Sequence, residues 1–219
     1  MFMSEKPKII IVVGPTASGK SDIAVELAKK FDGEIISADS RQVYKGLDIG
    51  TGKITKKEMR GVKHHLLDVT NPQKRFTASD FKKLAEKEIQ KIWDKNKIPI
   101  ICGGTGFYID ALFGDKQIPE VPPDLKLRAK LERKSVDELF QILKKLDSKR
   151  AENIDAKNPR RLIRAIEICR ALGKVPKIVA SSQHPASRKY DVLKIGIAPI
   201  KKITPPNPHP NRSGGWASL

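Results

Sequence analysis

The chain has 219 residues, 39% of them apolar and 31% charged, which is enough for one α/β domain with a core and a small insert. Its 43 Lys and Arg against 25 Asp and Glu leave a net charge of +18. That excess favours a polyanionic partner such as nucleic acid, since each cation that neutralises a phosphate releases a counterion; a solvated basic surface or lysine enrichment in a heat-adapted source gives the same balance. The two cysteines, Cys102 and Cys169, exclude a disulfide framework and have no metal-ligand spacing. No apolar run approaches the ~18 residues of a membrane span, and the N-terminus lacks a secretory stretch, so a cytoplasmic protein without membrane contact is expected.

Ile9 to Val13 is a β-branched run and predicts a buried central strand of a parallel sheet. Gly14 to Lys20 predicts a tight turn, and Ser21 to Phe31 a helix with Ile23, Ala24, Leu27, Ala28 and Phe31 on its inner side. Glu34 to Ser37 predicts a second strand, closed by Ala38 and Asp39. Thr77 to Asp80 has the form of a capping box opening a helix to about Asp94, with an apolar stripe of Phe81, Leu84, Ala85, Ile89, Ile92 and Trp93. Ile98 to Cys102 is a further strand before the glycine-rich Gly103 to Gly106. Alternating strands and helices imply right-handed βαβ units. The expected fold is therefore α/β: a P-loop NTPase-like parallel sheet flanked by helices, in a core spanning 1–115.

Beyond the stiff segment Ile118 to Pro123, charged helical patterns follow at Asp124 to Arg133, Val136 to Leu146 and Pro159 to Leu172. They predict a small helical insert over 116–185. Val192 to Ile197 predicts a strand returning to the core within 186–200. Thr204 to Pro210 holds four prolines in seven residues, so 201–219 is expected to be a disordered tail.

The strongest chemical signal is Gly14, Pro15, Thr16, Ala17, Ser18, Gly19, Lys20 and Ser21, which fit G-x-x-x-x-G-K-[ST] between a strand and a helix. Such a loop turns backbone N–H groups and a helix N-terminus toward phosphate oxygens, with Lys20 reaching the terminal phosphates and Ser21 able to ligate Mg²⁺. Asp39 leaves the second strand at the sheet edge where α/β ligands sit; it is either a general base or metal ligand, or a cap or turn residue. Gly103 to Gly106 leaves a strand at the same edge, and Thr105 offers a hydroxyl there, though a plain turn reads the same way. His64 and His65 are adjacent, point to opposite faces in a strand and lack ligand partners, so they read as structural. Arg160 and Arg164 share a helix face with Arg161 beside them, which suits phosphates or a solvated face equally.

Together these pieces resemble the tRNA dimethylallyltransferases, also called tRNA isopentenyltransferases. The carriers are GPTASGKS at 14–21, DSRQVYKGLDIGT at 39–51, HHLLD at 64–68, GGTG at 103–106 and NPRRL at 158–162, in the family's order. The resemblance implies transfer of a dimethylallyl group from dimethylallyl diphosphate to N6 of an adenine beside the tRNA anticodon, with pyrophosphate leaving. By resemblance, Thr16, Ser18, Gly19, Lys20 and Ser21 hold the diphosphate with Mg²⁺, and Asp39, Lys20 and Thr16 are catalytic. Asp39 takes the N6 proton. Asp39, Ser40, Arg41, Gln42, Thr105, Arg128, Arg160, Arg161, Leu162, Ile163 and Arg164 contact tRNA, and a monomer is expected. The resemblance stops near Ile200, where the family runs on into helices that grip tRNA; a premature or out-of-frame end is one hypothesis for this. Competing readings are a P-loop kinase using ATP and Mg²⁺, with Asp39 as base, and a non-catalytic RNA-binding remnant.

Overall fold

Apolar residues at consecutive positions bury both faces of a strand, and this chain uses such strands to carry helices on either side. The computed structural model describes residues 6–114, 119, 121–176 and 189–198. These residues form strands β1 (Lys8–Val13), β2 (Gly33–Ser37), β3 (His64–His65), β4 (Ile98–Gly103) and β5 (Asp191–Gly196), all parallel, in the order β3-β2-β4-β1-β5. Helices are α1 (Lys20–Lys30), α2 (Lys56–Met59), α3 (Ala78–Trp93), α4 (Gly106–Phe113), α5 (Leu125–Leu131), α6 (Val136–Leu146), α7 (Ser148–Glu152) and α8 (Pro159–Leu172).

Alternate side chains of the strands face alternate layers. Ile9, Ile11, Ile36 and Ile101 pack with Phe81, Ala85, Ile89 and Ile92 of α3 and Ile109 and Leu112 of α4. Ile10, Val12, Ile35 and Ile100 pack on the other face against Ala24, Val25 and Ala28 of α1. Each fully buried isoleucine is worth roughly 1.5–3 kcal/mol relative to an exposed one. α3 opens with the expected capping box, Thr77 and Asp80 each bonding the other's backbone N–H. β5 pairs with β1 from Lys8 opposite Asp191 to Val13 opposite Gly196, so the returning strand is present, one residue earlier than the sequence predicts.

Two details differ from expectation. The inner face of α1 is Ala24, Val25 and Ala28, while Ile23 and Phe31 are exposed. Small residues there let the helix lie close to the sheet, and the large ones at either end point away from it. The helices α2, α4 and α7 are not legible as periodic patterns. Two of them are four and five residues long, and α4 is apolar almost all round, with Tyr108, Ile109, Ala111, Leu112 and Phe113 buried.

The helices α5 to α8 make a second core from Leu127, Leu131, Leu139, Leu143, Leu162, Ile163 and Ile166 among others. Asn158 caps α8, with Pro159 in its first turn, and Ser135 and Glu138 form a capping box on α6. Glu167 sits inside this module with only 1% of its side chain exposed. Its carboxylate accepts from Arg128 Nε and Nη2, both at 2.6 Å, from Arg164 Nη1 at 3.2 Å and from the Asp124 N–H at 3.0 Å. The expected boundaries of the insert, 116–185, and of the return segment, 186–200, lie partly outside the described residues, and the 201–219 tail lies wholly outside them.

Two expectations follow. A Cβ on Gly103 would sit 2.2 Å from the carbonyl oxygen of Ala38, a backbone atom that cannot turn aside. Gly103→Ala should therefore lower stability by about 1–3 kcal/mol, read from the denaturation midpoint. Burial alone would raise the Glu167 carboxyl, but the Arg128 and Arg164 hydrogen bonds and the Asp124 N–H outweigh it and hold it below the ordinary value. That contribution is present above the unfolded pKa of about 4.3 and is lost as pH falls through the lower folded value. Glu167→Ala should cost about 3 kcal/mol near neutral pH, the low end for a broken buried pair because both arginines keep some solvent. It should also flatten the acid limb of stability measured by circular dichroism.

Candidate functional site

The carboxyl ends of β1, β2 and β4 meet at one edge of the sheet, where open α/β folds take their ligands. β1 delivers Gly14 to Gly19, β2 delivers Ala38 and Asp39, and β4 delivers Gly104 and Thr105. Apart from Ala38, which is fully buried, they line a cleft of about 870 Å³. The β2 and β4 ends are stitched by backbone bonds from Ala38 N to Cys102 O at 2.8 Å and from Thr105 N to Ala38 O at 3.2 Å. Gly14 is pressed against the segment after β5, where a Cβ would lie 2.7 Å from Ile197 O.

The loop before α1 has the shape of an anion cradle. Ala17 (φ 60°) and Gly19 (φ 79°) both adopt left-handed backbone, which turns successive N–H groups toward one side. Gly19 is the N-cap of α1 and supplies no side-chain cap, so the first-turn N–H groups face the cleft end without an internal acceptor from it. Ser18 Oγ is buried and, among the described residues, has no hydrogen-bond partner. A buried hydroxyl of this kind suits a phosphate oxygen. Lys20 Nζ folds over the loop and donates to Pro15 O at 2.9 Å. Thr16 and Ser21 line the same cleft.

Asp39 faces the cradle from the β2 side. Its Oδ1 accepts from the N–H of Arg41 at 2.8 Å and of Gln42 at 3.3 Å, an Asx-type turn that fixes the carboxylate by backbone alone. The Ser40 N–H donates to Thr105 Oγ1 at 3.0 Å, and Thr105 Oγ1 donates to Ser40 Oγ at 3.3 Å. Thr105 therefore ties the β4 turn to the β2 turn.

Sequence reasoning missed several cleft residues. Cys102 lines its floor, and burial pushes its thiol up to about 11 despite the nearby Lys20 charge, so it stays a protonated thiol. His64 also lines the cleft, and its Nδ1 donates to Val62 O at 2.9 Å. Burial holds its pKa below the usual histidine value, against the pull of that bond. His65 points to the opposite face between Glu34 at 2.6 Å and Glu88 at 3.0 Å, a structural role. Gly50, Thr51 and Gly52 form a further wall, for which their glycine content was the available signal.

The arginine cluster is not part of this cleft. Arg128 and Arg164 are committed to Glu167, with Arg164 Nη2 also donating to Val121 O at 2.9 Å. Leu162 and Ile163 are buried in the helical core, so burial removes their side chains from the expected tRNA contacts. Arg160 and Arg161 are exposed. Among the described residues, no helix is long and apolar enough to cross a membrane.

Comparison with known proteins agrees with this geometry. The chain is 46% identical over 200 residues to a tRNA dimethylallyltransferase of Pediococcus pentosaceus, covering 90% of this chain and 64% of that protein. It is 47% identical over 190 residues to the corresponding protein of Anoxybacillus flavithermus, covering 87% and 61%. The chain thus spans under two thirds of the length of these curated relatives. Among solved structures, the full-length tRNA isopentenylpyrophosphate transferase of Bacillus halodurans superimposes with a TM-score of 0.55 at 39% identity, covering 87% of this chain and 60% of that one. A eukaryotic dimethylallyltransferase captured acting on tRNA gives a TM-score of 0.69 at 28% identity, covering 87% and 48%. The IPP transferase family model matches residues 42–205, the part of the chain that follows the cradle and Asp39, and with these relatives it shows that the chain belongs to the IPP transferase family.

Proposed function

We propose that this chain carries the diphosphate-binding and proton-accepting part of a tRNA dimethylallyltransferase. The observation that carries the reading is that the phosphate cradle of Gly14 to Ser21 and the carboxylate of Asp39 open onto one cleft, with Thr105 between them. The prenyl donor is dimethylallyl diphosphate, and the acceptor is N6 of an adenine beside the tRNA anticodon. The relatives' shared name, tRNA dimethylallyltransferase, supports a dimethylallyl group and a tRNA acceptor.

The chain's own groups divide the work. The N6 lone pair forms a bond to C1 of the dimethylallyl group as the C1–O bond breaks, and pyrophosphate leaves with that electron pair. Negative charge grows on the leaving oxygens, where the α1 N–H groups and Ser18 would meet it and Lys20 would turn to it from Pro15 O. Asp39 takes the proton that N6 sheds. Ser40, Arg41 and Gln42 stand beside it to meet the base, which has to leave its stack for this chemistry. Arg160 and Arg161, exposed on the helical module, remain candidates for phosphate contacts.

Mg²⁺ fits this donor set through a phosphate shell. Among the described residues no cluster of three or more His, Cys, Asp or Glu is placed to hold a metal. Mg²⁺ keeps several waters and substrate phosphate oxygens, so one hydroxyl in the cleft suits it. Ser21 would hold the ion, which supplies charge neutralisation to the departing diphosphate.

The test is transfer of labelled dimethylallyl from its diphosphate to an anticodon stem-loop. Asp39→Asn should lower the transfer rate by about 10²–10⁴-fold, the usual contribution of a general base, while diphosphate affinity is kept. Lys20→Ala should weaken diphosphate binding and transfer together. Full activity in Asp39→Asn would sink the proton-acceptor role.

A further inference from the structure

Lys53 lies outside the phosphate cradle and outside the acceptor-facing run 39–42. Its ammonium is nonetheless one of the most enclosed charges near the cleft, with 6% of the side chain exposed. Nζ donates to Asp48 Oδ1 at 2.7 Å, to Asp68 Oδ1 at 2.5 Å and to Tyr44 O at 2.9 Å. A lysine has three N–H donors, and all three are used. Burial works against the charged form, but the two aspartates outweigh it and hold the ammonium above its ordinary pKa. The tether therefore stays charged across the neutral range.

What Lys53 ties together is the segment from Tyr44 to Gly52. This segment contains no helix or strand, and Gly46 and Gly52 adopt left-handed backbone. Its base is closed by Lys45 N to Thr70 O at 2.9 Å and Thr70 N to Val43 O at 3.0 Å, and its tip turns back through Lys53 N to Asp48 O at 3.1 Å. Asp48 belongs to the segment, whereas Asp68 belongs to the run after β3. One ammonium thus clips the loop both to itself and to its neighbour. On the cleft side, Gly50, Thr51 and Gly52 form a wall, and Gly52 O accepts from Gln42 Nε2 at 3.1 Å. Gln42 is itself on the Asp39 turn. A shift of the loop would move the wall and the Gln42 amide together, whereas none of these loop bonds, among the described residues, involves the cradle loop of residues 14–19.

We propose that Lys53 is a positioning residue for the acceptor side of the cleft: it clips the Tyr44–Gly52 loop so that the loop wall and Gln42 are preset for the base, while the diphosphate cradle stands without it. This rests on the prenyl-transfer reading of the same cleft. Lys53→Met keeps an apolar stem but leaves Asp48 and Asp68 without their cation. Lys53→Arg keeps the charge and can fork between two carboxylates. Asp48→Asn removes only the loop's own charged leg, at a side chain 67% exposed, and so guards against a variant that fails to fold.

The experiment combines three readings on the wild-type chain and these variants: amide hydrogen exchange over 44–53, calorimetric affinity for inorganic pyrophosphate with Mg²⁺, and affinity for an anticodon stem-loop RNA. Lys53→Met should speed exchange of the loop amides by about tenfold or more while those of β1 and β4 stay protected. Stem-loop affinity should fall by about tenfold, pyrophosphate affinity should change by less than about twofold, and Lys53→Arg should recover part of the loss. Asp48→Asn should give a smaller change of the same kind. Unchanged loop exchange, or equal losses of pyrophosphate and stem-loop affinity, would overturn the proposal. Wild-type binding of pyrophosphate without any stem-loop binding would instead count against the acceptor reading, and loop exchange would still decide whether Lys53 is the clip.

Discussion

The site depends on how closely two strand ends approach. At Gly103 the backbone of β4 passes the carbonyl of Ala38 so tightly that no side chain fits between them. That contact sets β2 and β4 in register at their carboxyl ends, where Ala38 N bonds Cys102 O and Thr105 N bonds Ala38 O. Asp39 and Thr105 emerge one step later on adjoining turns, and the Ser40 N–H closes the gap to Thr105. β1 sits on the other side of β4 and brings the P-loop to the same edge. A phosphate cradle facing a backbone-fixed carboxylate is therefore a consequence of strand order and one glycine. Long-range side-chain networks are not needed to explain it.

Basic charge plays two different parts in the two halves of the chain. Near the cleft, Lys20 is held at the phosphate end, and Lys53 is spent on two aspartates that steady a loop. In the helical module, Arg128 and Arg164 surround the buried Glu167, which needs them because an isolated carboxylate there would be costly. Arg160 and Arg161, with Lys126 and Lys130, remain exposed. Net charge of +18 thus overstates the cations free for a polyanion. The same lesson applies to any arginine-rich helix read from sequence: an i, i+4 pair tells where side chains point, but not what is already waiting for them.

The sheet was legible because its strands are continuous apolar runs bounded by turn residues, and the P-loop because its glycines, lysine and serine stand at fixed offsets between a strand and a helix. The Thr77–Asp80 capping box announced α3 for the same local reason. What stayed hidden depends on tertiary partners. The α1 face could not be phased from Ile23 and Phe31, since their exposure follows from how closely Ala24 and Ala28 seat the helix on the sheet. Leu162 and Ile163 entered the expected contact set beside arginines but belong to the helical core. Lys53 carried no local signal, because Asp68, fifteen residues on, reaches it only in the fold. His64 joined the cleft and His65 the Glu34–Glu88 pair because the strand alternates its faces, a split the sequence indicated without saying which face was which.

Both a prenyl diphosphate and ATP present phosphates that this cradle can grip, so the donor is the point on which the reading turns. Calorimetric titration of the chain with dimethylallyl diphosphate and, separately, with ATP, each with Mg²⁺, asks the question of the groups this chain contains. Clear preference for dimethylallyl diphosphate, lost on Lys20→Ala, is the predicted result. Clear preference for ATP would contradict it and point to phosphoryl transfer at Asp39 instead.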